Sequence, residues 1–174
     1  MQDKKNIIYI TGVPGTGKTT LTSEFLKMGY FAIDLDEFSH WEHKESKERN
    51  NWFPGASRDF LENHEWVCDL GALKKVINEH ADEDVFVFGV MDSRKEAFSV
   101  FDMIILLQIS TETAFKRVDL RNNNDFGKGN IEKEWIKSWK DGFEKGLIEK
   151  GAIVISAEEP IGVILNKILA VCKT

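Results

Sequence analysis

Hydrophobic residues along the chain follow two periods. Short apolar runs without polar alternation lie at Ile7-Ile8-Tyr9-Ile10, Val85-Phe86-Val87-Phe88, Met103-Ile104-Ile105-Leu106-Leu107 and Ile153-Val154-Ile155. Such runs belong to strands buried on both faces. With their flanks, and with the run after Gly29, they predict strands over 6–11, 30–34, 85–88, 101–109 and 152–155. Between them the period lengthens to that of a helix. Helices are predicted over 19–28 (Leu21, Phe25, Leu26 and Met28 inward), 58–80 (Phe60, Leu61, Val67, Leu70, Leu73, Val76, Ile77), 92–99, 111–120 and 131–149, with a last one opening at Pro160. In the helix over 131–149, Ile131, Trp135, Trp139, Phe143 and Leu147 recur every fourth residue, a stripe expected to pack in the core.

Two stretches break the rhythm. Residues 39–57 are polar yet carry Trp41, Trp52 and Phe53, too long for a simple connection and too aromatic for a disordered linker. Residues 121–130 hold three consecutive asparagines, two glycines and Lys128, and read as a mobile loop. Strand followed by helix, five times over, predicts an α/β, three-layer fold: a five-stranded parallel sheet with helices on both faces. One domain over 1–174 is expected, with an insert at about 38–66 and a small lid at about 121–130. Ligand is expected beyond the carboxyl ends of the strands.

Bulk properties narrow the class. The 174 residues are 42% hydrophobic and 30% charged, as in a globular domain with a real core. A net charge of −6 without a basic cluster argues against nucleic-acid binding. The longest apolar run, 103–107, is too short to span a bilayer, so no membrane is expected. The N-terminus leads straight into the first strand, so no signal peptide is expected. Cys68 and Cys172 are too few and too far apart for a disulfide scaffold, and reduced cytoplasm is the expected setting. A monomer and a homodimer both fit.

The chemistry concentrates between the first strand and first helix. Gly12-Val13-Pro14-Gly15-Thr16-Gly17-Lys18-Thr19 has the spacing of the phosphate-binding P-loop, G-x-x-x-x-G-K-[ST]. Its glycines allow a tight concave backbone, and the N–H groups converge on phosphate at a helix N-terminus. Gly12, Pro14, Gly15, Thr16, Gly17, Lys18, Thr19 and Thr20 are therefore candidate nucleotide contacts. Lys18 would reach the β- and γ-phosphates, and the Thr19 hydroxyl would ligate Mg²⁺.

Asp34 and Asp36 stand at the end of the second strand. One carboxylate there could assist Mg²⁺, for which Asp34 is the candidate, while a neighbour takes a proton from an attacking hydroxyl. The alternative is that they cap the element that follows. Arg117 and Arg121 share a helix face just before the loop with Lys128, suited to neutralise a transferring phosphoryl group as that loop closes, the alternative being a solvated basic helix end. Trp41 or Trp52 either stacks on a planar substrate or packs beneath a long loop; both readings stand. His40 and His43 lack any accompanying ligand pattern.

Together, the P-loop, an Asp-x-Asp after the second strand, Gly89 directly after the third and Arg117-x-x-x-Arg121 before a lid resemble the nucleoside monophosphate kinase-like group. That group includes adenylate, shikimate and gluconate kinases. The resemblance implies strand order 2-3-1-4-5 and transfer of the ATP γ-phosphoryl group to a small acceptor. It also implies that Ala157-Glu158-Glu159 borders the adenine, Arg117 the base, and Arg121 and Lys128 the phosphates. Lys18, Asp34, Asp36 and Arg121 would form the catalytic set.

Departures from the adenylate kinase pattern bear on the acceptor. Where those enzymes resemble Gly-Phe-Pro-Arg, this chain has Gly89-Val90-Met91-Asp92, with Arg94 two positions late. The arginine expected after the second strand is absent, and Phe38, Ser39 and His40 occupy that region. The Asp-x-Asp resembles shikimate and gluconate kinases, which phosphorylate hydroxyls. The expected acceptor is thus a small hydroxyl compound, a nucleoside being one case, with Asp36, Arg58 and Asp92 as candidate contacts. A nucleoside monophosphate kinase is the alternative, disfavoured by the missing arginines. A nucleotide-hydrolysing switch fits less well, since the third strand ends in Phe88-Gly89 and Asn166-Lys167 continues as Ile168-Leu169 instead of reaching an aspartate. A nucleotide-binding module stays open.

Overall fold

The computed structural model describes residues 5–91 and 95–173. In chain order the first elements are β1 (Ile7–Thr11), α1 (Lys18–Lys27), β2 (Phe31–Asp34) and a 3-10 turn, Leu35–Phe38. Then come β3 (Ser39–His43), β4 (Arg49–Asn50), α2 (Arg58–Asn63), β5 (His64–Cys68) and α3 (Leu70–Glu79). The remainder is β6 (Val85–Phe88), α4 (Lys95–Phe98), β7 (Met103–Gln108), α5 (Thr111–Leu120), α6 (Asn130–Glu149), β8 (Ile153–Ser156) and α7 (Ile161–Val171).

The central sheet is parallel, in the order β2-β6-β1-β7-β8. Counted among themselves its five strands run 2-3-1-4-5, as the resemblance implied. Its middle strand shows why the runs are continuously apolar. Ile8 and Ile10 point into one layer with Phe25, Phe86, Phe88, Ile105 and Ile164, while Tyr9 points into the other with Ile33, Leu73, Ile77 and Val87. Successive side chains enter opposite cores, so neither face of the strand can be polar.

The predicted helix over 58–80 is three elements. Ser57 caps α2, its hydroxyl accepting from the Phe60 amide, and α2 ends at Asn63. His64–Cys68 is β5, paired antiparallel with β3 so that Trp41 faces Trp66. Asp69 then caps α3, its carboxylate accepting from the Ala72 amide. Helical spacing ran through β5 because five residues with mixed apolar positions satisfy either period, and a strand partner distant in sequence decided between them. That partner lies in 39–57, which is therefore not a long loop. It supplies β3 and β4 to a second, antiparallel sheet of order β4-β3-β5.

The predicted helix over 92–99 reduces to α4, and Asp92 and Arg94 lie outside the described residues. Between α5 and α6 the chain turns at Asn124, whose side-chain oxygen accepts from the Phe126 amide. Glu132 closes the start of α6 by accepting from the Gly129 amide at 2.7 Å.

Candidate active site

The glycine loop bridges β1 and α1 where backbone must pass close to backbone. A Cβ on Gly12 would stand 2.5 Å from the Leu107 carbonyl oxygen, and one on Gly15 (φ 95°) 2.4 Å from that of Ala114. Gly17, at φ 90°, is the N-cap of α1. The loop is thus pressed against the ends of β7 and α5, and only glycine fits. The buried Thr16 hydroxyl donates to the Val13 carbonyl at 3.0 Å. Lys18 leans across the loop, its Nζ donating to the carbonyls of Gly12 (2.6 Å) and Val13 (3.1 Å) and to Thr16 Oγ1 (3.2 Å). Withdrawal from water lowers its pKa to about 8, with Arg121 adding to the effect and Asp36 and Asp34 opposing it.

At the end of β2, Asp34 caps the 3-10 turn: its Oδ1 accepts from the Asp36 amide at 3.1 Å. The capping alternative is realised for this residue. The turn is pinned by Leu35, which is fully buried, and Leu35 fits only because Gly89 (φ 154°) has no side chain. A Cβ there would lie 2.4 Å from the Leu35 Cβ. Asp36 then opens onto the cavity. The residue stays solvent-exposed, but the surrounding walls partly desolvate its carboxyl and raise its pKa; the Asp34 charge adds to the rise, and Lys18 and Arg121 oppose it.

Arg117 Nη1 donates to the Ala157 carbonyl at 2.8 Å and to the Gly15 carbonyl at 3.4 Å, joining the loop after β8 to the glycine loop. Arg121 donates from Nε to the Asn124 carbonyl at 2.9 Å and from Nη2 to the Phe126 carbonyl. Partial burial lowers its pKa, against the pull of Asp36 and Asp125.

These parts surround one cavity of about 970 Å³. Pro160, Ile161 and Arg117 line it, as do Pro14, Gly15, Gly17, Lys18, Thr19 and Thr20 of the glycine loop and α1, together with Asp36 and Arg121. Its remaining wall carries Asn51, Val90, Asn123, Asn124 and Glu159, and is otherwise aromatic. All five tryptophans of the chain, Trp41, Trp52, Trp66, Trp135 and Trp139, line it together with Phe126. The structure does not bring Arg58 or Lys128 to this lining: Arg58 pairs with Glu62 at 2.7 Å and Lys128 with Asp125 at 2.8 Å. Gly12, Thr16, Asp34 and Ala157 stand behind the lining as supports. Among the described residues no group of three or more His, Cys, Asp or Glu side chains is placed to hold a metal ion.

The tryptophans of α6 were expected in the core. They do touch the main core, but they also face the cavity. The side of α6 that is buried carries Glu132, Ile136, Lys140, Glu144 and Leu147. Lys140 and Glu144 pair there at 2.8 Å, and Gln108 donates to the second Glu144 oxygen at 2.9 Å. The Lys140 contact is an ion pair without a directed hydrogen bond, since Glu144 Oε1 has no hydrogen-bond partner, so the buried charge rests on Coulomb attraction and the Gln108 donor. The signal in the sequence was that same i, i+4 Lys–Glu spacing beside the tryptophan stripe, which periodicity of apolar residues overlooks.

Fold and site together define a P-loop α/β protein with a second, aromatic compartment beside the phosphate loop. The chain belongs to the AAA domain family, whose model matches residues 8–137. In fold it is similar to deoxyadenosine kinase from M. mycoides solved with dATP, at 17% identity and a TM-score of 0.59, covering 97% of this chain and 100% of that one. A gluconokinase from Sinorhizobium meliloti 1021 gives 16% identity, a TM-score of 0.57 and coverage of 98% and 92%. The shikimate kinase from Bacteroides thetaiotaomicron gives 16% identity, a TM-score of 0.54 and coverage of 97% and 99%. No curated protein sequence matches. Among the described residues no helix is long and apolar enough to cross a membrane.

Proposed function

We propose that this protein is an ATP-dependent kinase that transfers the γ-phosphoryl group to a hydroxyl of a small molecule. The observation that carries the reading is that Asp36 and Lys18 open onto the same cavity, within range of each other's charge, with the aromatic compartment adjoining them. The glycine loop takes the phosphates on its backbone N–H groups, and the wall of Arg117, Pro160 and Ile161 takes the adenosine end. The acceptor oxygen attacks the γ-phosphorus. Its new O–P bond forms as the bond to the bridging oxygen of ADP breaks, and its proton passes to the Asp36 carboxylate. Lys18 and Arg121 neutralise the charge that spreads over the transferring group. A raised carboxyl pKa suits Asp36 to this task, because a more basic carboxylate is the better proton acceptor.

The residues also fit Mg²⁺. This ion takes one or two protein oxygens and completes its shell with phosphates and water. Thr19 on the cavity wall and Asp34 behind it are the oxygens available. Bound there, the ion would add charge neutralisation at the phosphates. The three fold neighbours named above are called kinases of deoxyadenosine, gluconate and shikimate, which supports the class. A kinase that draws on ATP fits a cytoplasmic setting, as a monomer or a homodimer.

The runner-up is a nucleoside monophosphate kinase, whose acceptor phosphate requires cations. Among the described lysines and arginines only Lys18, Arg117 and Arg121 line the cavity, and all three serve the nucleotide side in the proposed arrangement. The test is ADP release from ATP and Mg²⁺ across paired acceptors, nucleosides and other alcohols against monophosphates. Release that requires an added alcohol and disappears in Asp36→Asn is expected. Turnover of a monophosphate alone, or release that no acceptor accelerates, would overturn the reading.

A further inference from the structure

We propose that the aromatic compartment is a cage for an ammonium group, so that the acceptor is a cationic hydroxyl compound, an amino alcohol. This rests on the kinase reading for the acceptor role, but the cage can be tested without it. The rings that touch do so at steep angles. Trp41 meets Trp66 at 59°, Phe126 at 44° and Trp135 at 53°, with centroids 5.6 to 6.0 Å apart. Phe126 meets Trp52 at 76° and Trp135 at 87°, and Trp135 meets Trp139 at 70°. A flat base is best held against parallel faces. Tilted contact is the usual way aromatic rings pack, but rings tilted about one cavity cannot all turn their positive edges to it, and the faces left to the cavity are what attract a compact ammonium ion.

Charge points the same way. The three cations of the cavity are the ones assigned to ATP, whereas two carboxylates, Asp36 and Glu159, line the same cavity, and the whole chain carries −6. An anionic acceptor would meet no counter-charge beyond that set, while a cationic one is steered inward. An ammonium held among the rings, two or three bonds from a hydroxyl, would leave that hydroxyl free to turn toward Asp36.

The experiment reads both binding and transfer. Tetramethylammonium, which has no hydroxyl, is titrated into the full-length protein while tryptophan fluorescence is followed. Saturable quenching is expected, with no comparable effect from the uncharged tert-butyl alcohol of similar shape. Trp135→Phe should keep the binding. Trp135→Leu, equally apolar but without a π-face, should weaken it by roughly tenfold, a loss of one desolvated cation–π contact; circular dichroism verifies that both variants fold. In the transfer assay, choline and ethanolamine should release ADP faster than their neutral carbon isosteres, dimethylbutanol and propanol, or a nucleoside. Equal quenching by tert-butyl alcohol, or preferred turnover of a nucleoside, would overturn the cage while leaving the kinase intact. Ammonium binding with no alcohol accepted would instead keep the cage and overturn the kinase.

Discussion

The Arg121 guanidinium donates to the main-chain carbonyl of Phe126, whose ring forms part of the aromatic wall beside Trp41 and Trp52. One side chain therefore belongs to both halves of the cavity. Its charge acts on Lys18 and Asp36, while its planar fork holds the backbone that carries the Phe126 ring.

From this relationship Arg121→Ala should lower kcat by about 10²–10³-fold, as expected for loss of one preorganised donor, and also raise the acceptor KM. Arg121→Lys should recover part of kcat but little of KM, because an ammonium on a flexible stem lacks the rigid, planar fork that spans the Asn124 and Phe126 carbonyls. Steady-state kinetics with each substrate varied in turn separates the two effects. Recovery of both parameters by lysine would show that the fork is immaterial.

Lys18→Ala should reduce turnover by about 10²–10³-fold or more without unfolding the protein. Its depressed pKa adds a pH signature. Below about 8 the side chain is an ammonium, and above it a neutral amine that binds phosphate poorly. Hence kcat/KM for ATP, which reports the free enzyme, should fall as pH rises through about 8. Lys18→Arg, slower at every pH, should lose that alkaline limb because its charge does not titrate in this range.

Asp36→Asn should abolish transfer, a loss of about 10²–10⁴-fold for a general base, while ATP affinity measured by calorimetry changes little. In the wild type the acid limb should sit above the ordinary carboxylate range, since activity needs the ionised form and is lost as pH falls through a raised pKa. Asp34→Asn should in addition increase the Mg²⁺ concentration needed for half-maximal rate.

Gly89→Ala tests how the fold places Asp36. The new Cβ would stand 2.4 Å from the Leu35 Cβ on a backbone at φ 154°. A loss of about 1–3 kcal/mol in unfolding free energy is expected from the strained conformation alone. If Leu35 gives way, Asp36 moves with it, so kcat should fall further than in an exposed-helix control such as Gly142→Ala, where a Cβ meets nothing. Denaturant titration and turnover of the same samples decide the matter.

Local signals made the nucleotide side legible. The spacing of Gly12, Gly15, Gly17 and Lys18 encodes the backbone shape of the loop, and continuous apolar strands demand a doubly covered sheet, because both properties arise within a few residues of chain. The acceptor side was not legible in that way. His64–Cys68 suits helix and strand alike until β3 pairs with it, and Trp135 and Trp139 form the same stripe whether they face a core or a cavity. The buried face of α6 instead carries the Lys140–Glu144 pair, to which Gln108 on β7 donates. Such contacts join segments far apart in sequence, and a charge can be buried only where its partner already waits. Loop shape follows from local backbone freedom, whereas a cage assembled from four separate segments exists only once the chain has closed on itself.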